Sequence, residues 1–154
     1  PAGIPVSHGW ATLACRPHWE AQAMRWSFFL PCIPVAQGRP RAAVTRIGHI
    51  RMYDPERSRS WKHELAWASL PYKPKVPSEF PLRISLQFVL PKPASVRRSY
   101  PSVKPDLDNL IKGVLDSFTG IFWRDDAQIV DYAMMSKRYG AQSGVAVCIE
   151  EIEG

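Results

Sequence analysis

No stretch of this 154-residue chain stays apolar for the roughly 18–20 residues that a membrane helix needs. The best run, Trp26 to Ala36, is interrupted by Pro31 and Pro34. A positively charged start followed by an apolar core is also missing, so no signal peptide is read. Cysteine is scarce: Cys15, Cys32 and Cys148 are odd in number, far apart and without a CxxC pair. That argues against a zinc site and for thiols acting as small hydrophobes in a reducing cytosol. Four histidines (His8, His18, His49, His63) are scattered and form no metal or nucleophile constellation. Internal repeats and low-complexity tracts are absent as well, which sets aside solenoids and compositionally disordered arms.

What remains describes one domain of ordinary size, with 45% hydrophobic residues to build a core. The formal charge is +6 and the sequence pI about 9.5. Such a balance favours a polyanionic partner, nucleic acid before an anionic membrane surface. The chain begins with Pro1, and Met24 is a candidate true start. Residues 1–23 are then an extension, vector-derived or upstream, and 24–154 the domain proper. Fifteen prolines cluster in the connectors.

The periodicities predict an α+β fold, a small mixed or antiparallel sheet with two main helices packed on it. Arg25 to Leu30 reads as a strand with Trp26, Phe28 and Leu30 on one face. A basic loop, Gln37-Gly-Arg-Pro-Arg41, leads to Arg46 and Arg51, expected on a short hairpin around Gly48. Asp54-Pro55-Glu56 predicts a helix start, with Asp54 as cap and Pro55 at the first helical position, and Pro71 stops that helix near Ser69. Trp61, Leu65 and Ala68 are its buried stripe. Leu82 to Leu90 alternates as a half-buried strand. Pro91 to Pro105 is a long basic loop, of a length that is often functional. A second helix is expected from about Asp108 to Phe118, with Gly120 ending it. Ala127 to Arg138 and Gly144 to Ile152 read as the last strands.

Within a basic chain, four of the fourteen acids fall in two short fragments, KPDLDNLIK and RDDAQ. Asp106 and Asp108 are two apart, and in an extended segment such residues point to the same side. Asn109 and Lys112 share a helix face with Asp108. Asp126 and Gln128 are expected on one side of the following strand. If the two fragments pack side by side, three or four carboxylates surround one space. That arrangement is costly without a cation among them. Mg²⁺ takes oxygen ligands and commonly uses one or two carboxylates plus substrate phosphate. It can activate water and stabilise a leaving oxygen in phosphodiester hydrolysis, while Lys112 offsets charge on the phosphate or orients the water. Each residue alone has an ordinary reading: Asp108 as a helix cap, Asp106 as a surface acid, Asp125-Asp126 as a turn, Lys112 as an ion-pair partner worth about 0.3–0.5 kcal/mol, Asp116 as structural or solvent-exposed. The combination is what points to a metal.

The run Lys104 to Tyr132, KPDLDNLIKGVLDSFTGIFWRDDAQIVDY, closely resembles the RusA family of Holliday-junction resolvases. The family signature is D-x-D-N-x-x-K, a helix with an internal Asp, then D-D-x-Q leading into a strand. Asp106, Asp108, Asn109, Lys112, Asp116, Asp125, Asp126 and Gln128 match it. The resemblance implies an α+β crossover junction endodeoxyribonuclease, dependent on Mg²⁺ with Mn²⁺ as a substitute. It implies a cytoplasmic homodimer, in a bacterial or phage-infected cell, that cuts four-way DNA junctions symmetrically. Carried over residue by residue, Asp106, Asp108 and Asp126 are the catalytic metal ligands, Lys112 a further catalytic residue, Asp125 a fourth candidate ligand, and Asn109 and Gln128 supporting residues. The loop AQGRPR has the form associated with phage and prophage members.

Arg39, Arg41, Arg46, Arg51, Arg97, Arg98 and Lys104 lie on predicted loops flanking the acids and are the expected contacts to DNA phosphates. Tyr100 is expected to anchor its loop, with stacking on an unpaired base as the other reading. Two other functions stay open on the sequence: a metal-dependent nuclease acting on flaps or forks, and a DNA-binding prophage relic without activity. No membrane partner is expected.

Overall fold

A computed structural model describes residues 24–38, 41–53 and 55–152. The main sheet has four strands: β1 (Arg25–Pro31), β4 (Leu82–Pro91), β5 (Ile129–Gly140) and β6 (Gly144–Glu151), in the order β1-β6-β4-β5. β6 is antiparallel to both β1 and β4, whereas β4 and β5 run parallel, so the sheet is mixed. β2 (Arg41–Val44) and β3 (Ile50–Tyr53) form a separate antiparallel ribbon, the hairpin expected around Gly48. Gly48 has φ 83°, and its N–H bonds back to Thr45 O at 2.9 Å.

Two helices cover one face of the main sheet. α1 spans Glu56–Ser69 and α2 spans Leu107–Phe118. Alternation places Phe28 and Leu30, then Leu82, Ile84, Leu86 and Phe88, then Val145, Val147 and Ile149, on that face. They meet Trp61 and Leu65 of α1 and Leu110, Val114, Leu115 and Phe118 of α2 in one buried core. Trp26 and Ala68 pack at its margin, as their stripes predict. α1 and α2 touch at Gly113, where an added Cβ would stand 2.4 Å from the Trp61 ring. The α+β architecture is therefore the expected one.

Several boundaries differ from expectation. Pro55 is the N-cap of α1 rather than its first residue, and the expected cap Asp54 lies outside the described residues. β4 is not half-buried: Ser85 and Val89 of its other face are buried along with its inward set, because β4 sits between two partners. α2 begins at Leu107, and Asp106 rather than Asp108 is its N-cap. β5 begins at Ile129, preceded by a short 3-10 helix over Asp126–Gln128. Gly120, with φ 82°, follows α2 as foreseen. None of the helices is long and apolar enough to cross a membrane, among the described residues.

Candidate active site

The loop after β4 returns the chain over the end of the parallel pair and delivers Asp106 to the start of α2. Asp106 has extended backbone angles, and its carbonyl accepts the first helical bond from Leu110 N at 3.2 Å. A carboxylate at this position ordinarily accepts a bond from an N–H one turn in. Asp106 makes no such capping bond, so its carboxylate is not engaged by the helix end. Asp108 lies in the first turn and is exposed, as are Asp106 and Lys112. Asp106 and Asp108 thus do not share one extended segment, and the expected i, i+2 alignment is replaced by a helix start. The positive pole of α2 stabilises both acids there. Lys112 and Asn109 follow on the same helix, and Asn109 O accepts from Gln37 N at 3.2 Å.

The second acidic fragment is a knot of hydrogen bonds. Asp125 caps the 3-10 turn, its carboxylate accepting from Ala127 N at 2.8 Å. Gln128 Oε1 accepts from Arg124 N and Asp125 N at 2.8 and 2.9 Å. Gln128 Nε2 donates to Ser78 O and Phe80 O at 2.9 and 3.1 Å, which ties the turn to the connector before β4. Asp126 Oδ1 accepts from Thr119 Oγ1 and from Trp123 Nε1, the latter at 2.9 Å. These bonds fix Asp126 and, among the described residues, engage one of its oxygens. Gln128 therefore does not sit beside Asp126 on a strand face; both belong to a turn.

Thr119 and Trp123 follow the C-terminus of α2, whereas Asp106 caps its N-terminus. Twelve helical residues separate the two acidic groups, roughly 18 Å at 1.5 Å per residue. The fragments do not pack side by side within one chain, and among the described residues no three acids, histidines or cysteines are grouped to hold a metal. The physical reason is connectivity: the parallel β4–α2–β5 crossover requires α2 to run the length of the sheet between them.

The donor set still fits a hard cation. Asp106 and Asp108 supply exposed carboxylate oxygens at one helix end, and Mg²⁺ needs only one or two, the remainder being water and phosphate oxygen. Burial pushes the Cys32 thiol up to about 11, leaving it neutral at neutral pH. Asp116 is structural, accepting Gln37 Nε2 at 2.9 Å and Lys62 Nζ at 3.3 Å.

The predicted DNA contacts fall into two arms. Arg46 occupies the exposed turn of the β2–β3 ribbon, Arg41 and Arg51 lie on its strands, and Arg39 lies outside the described residues. Arg97, Arg98 and Lys104 are exposed on the 92–105 loop. Tyr100 does not anchor that loop; it is 70% exposed. The anchors are Tyr139 N bonding Ser99 O at 2.9 Å and Lys137 Nζ bonding Val103 O and Pro105 O at 2.8 and 2.7 Å. Motif spacing did not single out Lys137 as a loop anchor. Its signal is parity, a lysine two residues beyond core-packed Met135 and so on the helix-facing side of β5.

A mixed sheet under two helices thus presents two exposed acids and a lysine near the start of α2, with basic arms alongside, a donor set suited to phosphodiester chemistry. Residues 31–150 match the family described as Endodeoxyribonuclease RusA, and the chain belongs to that family. It is also similar to "Uncharacterized protein YqaN" of Bacillus subtilis (strain 168), with 34% identity over 131 residues, covering 77% of this chain and 91% of the relative. Membership places the chain among DNA-cleaving nucleases.

Proposed function

We propose that the protein is a Mg²⁺-dependent endonuclease, able to use Mn²⁺, that resolves four-way DNA junctions by paired symmetric cuts. The observation that carries this reading is the start of α2. There Asp106 and Asp108 are presented without capping bonds from Asp106, and Lys112 lies one turn further on, in a member of an endodeoxyribonuclease family.

Asp106 and Asp108 would hold the cation, which when bound supplies a Lewis acid for the scissile phosphate and an acidified water. Lys112 lies within reach of the same helix end and offsets charge that grows on the phosphate oxygens. Asp126 is held by Thr119 and Trp123 with one oxygen remaining for the ion, and Gln128 holds the turn that carries it. Arg39, Arg41, Arg46, Arg51, Arg97, Arg98 and Lys104 carry the phosphate backbone to these groups.

Two symmetric cuts need two active centres, which is a reason for a homodimer with two-fold symmetry. The separation of the acids along α2 adds a second reason. An isologous pair can set Asp106 and Asp108 of one protomer against Asp126 of the partner subunit, which one chain cannot do for itself. Free Cys32 and Cys148 fit a reducing cytoplasm.

Purified protein with Mg²⁺ would be offered a four-way junction, a flap, a fork and linear duplex of matched sequence. Paired nicks placed symmetrically in the junction, at a rate well above the other substrates, support the proposal. Preferred cutting of the flap or fork transfers the same chemistry to another branched DNA. Binding without any cutting identifies an inactive DNA-binding descendant.

A further inference from the structure

We infer that Lys137 is a positioning residue of the active site, setting the direction of the Asp106 carboxylate. The inference rests on the nuclease reading above. In the register of the parallel pair Lys137 stands beside Phe88, whose ring lies in the helix-facing core. Its side chain therefore rises on the side of the sheet that carries α2, at the end where the 92–105 loop closes. There Nζ donates to Val103 O at 2.8 Å and to Pro105 O at 2.7 Å. Both carbonyls lie within three residues of Asp106, and a loop carbonyl must find a partner somewhere.

The consequence is geometric. The direction of a Cβ is fixed by the two peptide planes that flank its Cα. For Asp106 the following plane is held by Leu110 N on Asp106 O at 3.2 Å. The preceding plane contains Pro105 O and is held by Lys137. With both planes pinned and no capping bond to draw it into the helix, the carboxylate points where the backbone aims it. The choice of residue is informative too. An ammonium near a helix N-terminus opposes the positive pole of the helix, so a clamp with no other task would be cheaper as a neutral donor. The cost falls where Asp106 and Asp108 balance the charge. An ammonium has three protons, and the two carbonyls use two.

The test compares the full-length protein with Lys137→Met, which keeps the length of the stem and removes the donors, and with Lys137→Arg, which keeps charge and donors. Three readouts are needed: the thermal midpoint, Mn²⁺ affinity by isothermal titration, and single-turnover cleavage of a branched DNA. A residue that orients a metal-binding carboxylate is expected to cost about 10- to 100-fold in metal affinity or rate when removed. The expected result is that Lys137→Met melts like the parent, binds Mn²⁺ at least about ten-fold more weakly and cuts correspondingly slower. DNA binding without metal should stay within about two-fold, and Lys137→Arg should recover most of the affinity. Parent-like Mn²⁺ affinity in a folded Lys137→Met overturns the inference and leaves Lys137 a loop clamp. If Lys137→Met unfolds, Lys137→Arg decides: folded with parent-like Mn²⁺ affinity it supports the role, whereas unfolded or with weakened Mn²⁺ binding it overturns it. A parent that binds no Mn²⁺ and cuts no branched DNA defeats the nuclease reading instead.

Discussion

Gln128 binds four partners with one amide, and the second acidic fragment depends on it. Its oxygen takes two backbone N–H groups and its nitrogen reaches two carbonyls of the connector before β4. At about 1 kcal/mol net for a typical bond, and with the side chain half-buried, Gln128→Ala should destabilise the protein by about 2 kcal/mol. Urea denaturation measures this directly. Cleavage should fall as well, because the turn that holds Asp126 loses its brace. The sequence placed Gln128 in the right company but on the wrong element. Over three residues a 3-10 turn and a strand start have no distinguishing periodicity, and the deciding partners, Ser78 and Phe80, are some fifty residues away. A pH effect belongs at this scale too. The Cys32 thiol is raised to about 11 against an ordinary value near 8.5. The neutral thiol is therefore favoured in the fold. Its contribution is fully present below about pH 8.5 and lost as pH rises towards 11. The melting temperature of the parent should fall more steeply across that window than that of Cys32→Ala.

The apolar residues of α2 recur at helical spacing: Leu110, Val114, Leu115 and Phe118 are buried, and Ile111 packs partly buried against the core. The helix start was displaced because Asp106 and Asp108 are both plausible caps, and local sequence does not rank them. β4 was misjudged for a different reason. Its alternation is real, but burial of its other face is decided by its place between β6 and β5, through pairings far off in the sequence. The contact between the helices makes a firm prediction. Gly113→Ala should cost about 1–3 kcal/mol despite alanine's better helix propensity, because its Cβ meets the Trp61 ring at 2.4 Å. Chemical denaturation reads it, and a smaller companion at Trp61 should relieve part of the loss. On the 92–105 loop the opposite holds. Tyr100→Ala removes an exposed side chain and should change stability by no more than about 0.5 kcal/mol.

At the scale of the molecule, the charge pattern divides the work. In the proposed function the basic residues of two arms meet the phosphate backbone, and the carboxylates at the helix ends meet the ion. Affinity for junction DNA should therefore fall steeply and linearly with salt on logarithmic axes. The family motif made the nuclease class legible. It could not show that α2 holds the two acidic groups about 18 Å apart, since that follows from the parallel crossover and not from any local pattern. Mixing Asp106→Asn with Asp126→Asn tests the composite centre that the proposed dimer implies. A heterodimer with centres shared across the interface keeps one intact centre and should regain single-strand nicking, whereas centres confined to one chain would leave both dead.

These carboxylates are proposed to hold the ion that cuts DNA. The most direct test is cleavage of a four-way junction with Mg²⁺ by the parent and by Asp106→Asn, alongside junction binding by both without metal. Cutting by Asp106→Asn should fall by about 10²-fold or more while binding remains close to the parent's. Full-rate cutting by Asp106→Asn would contradict the proposal.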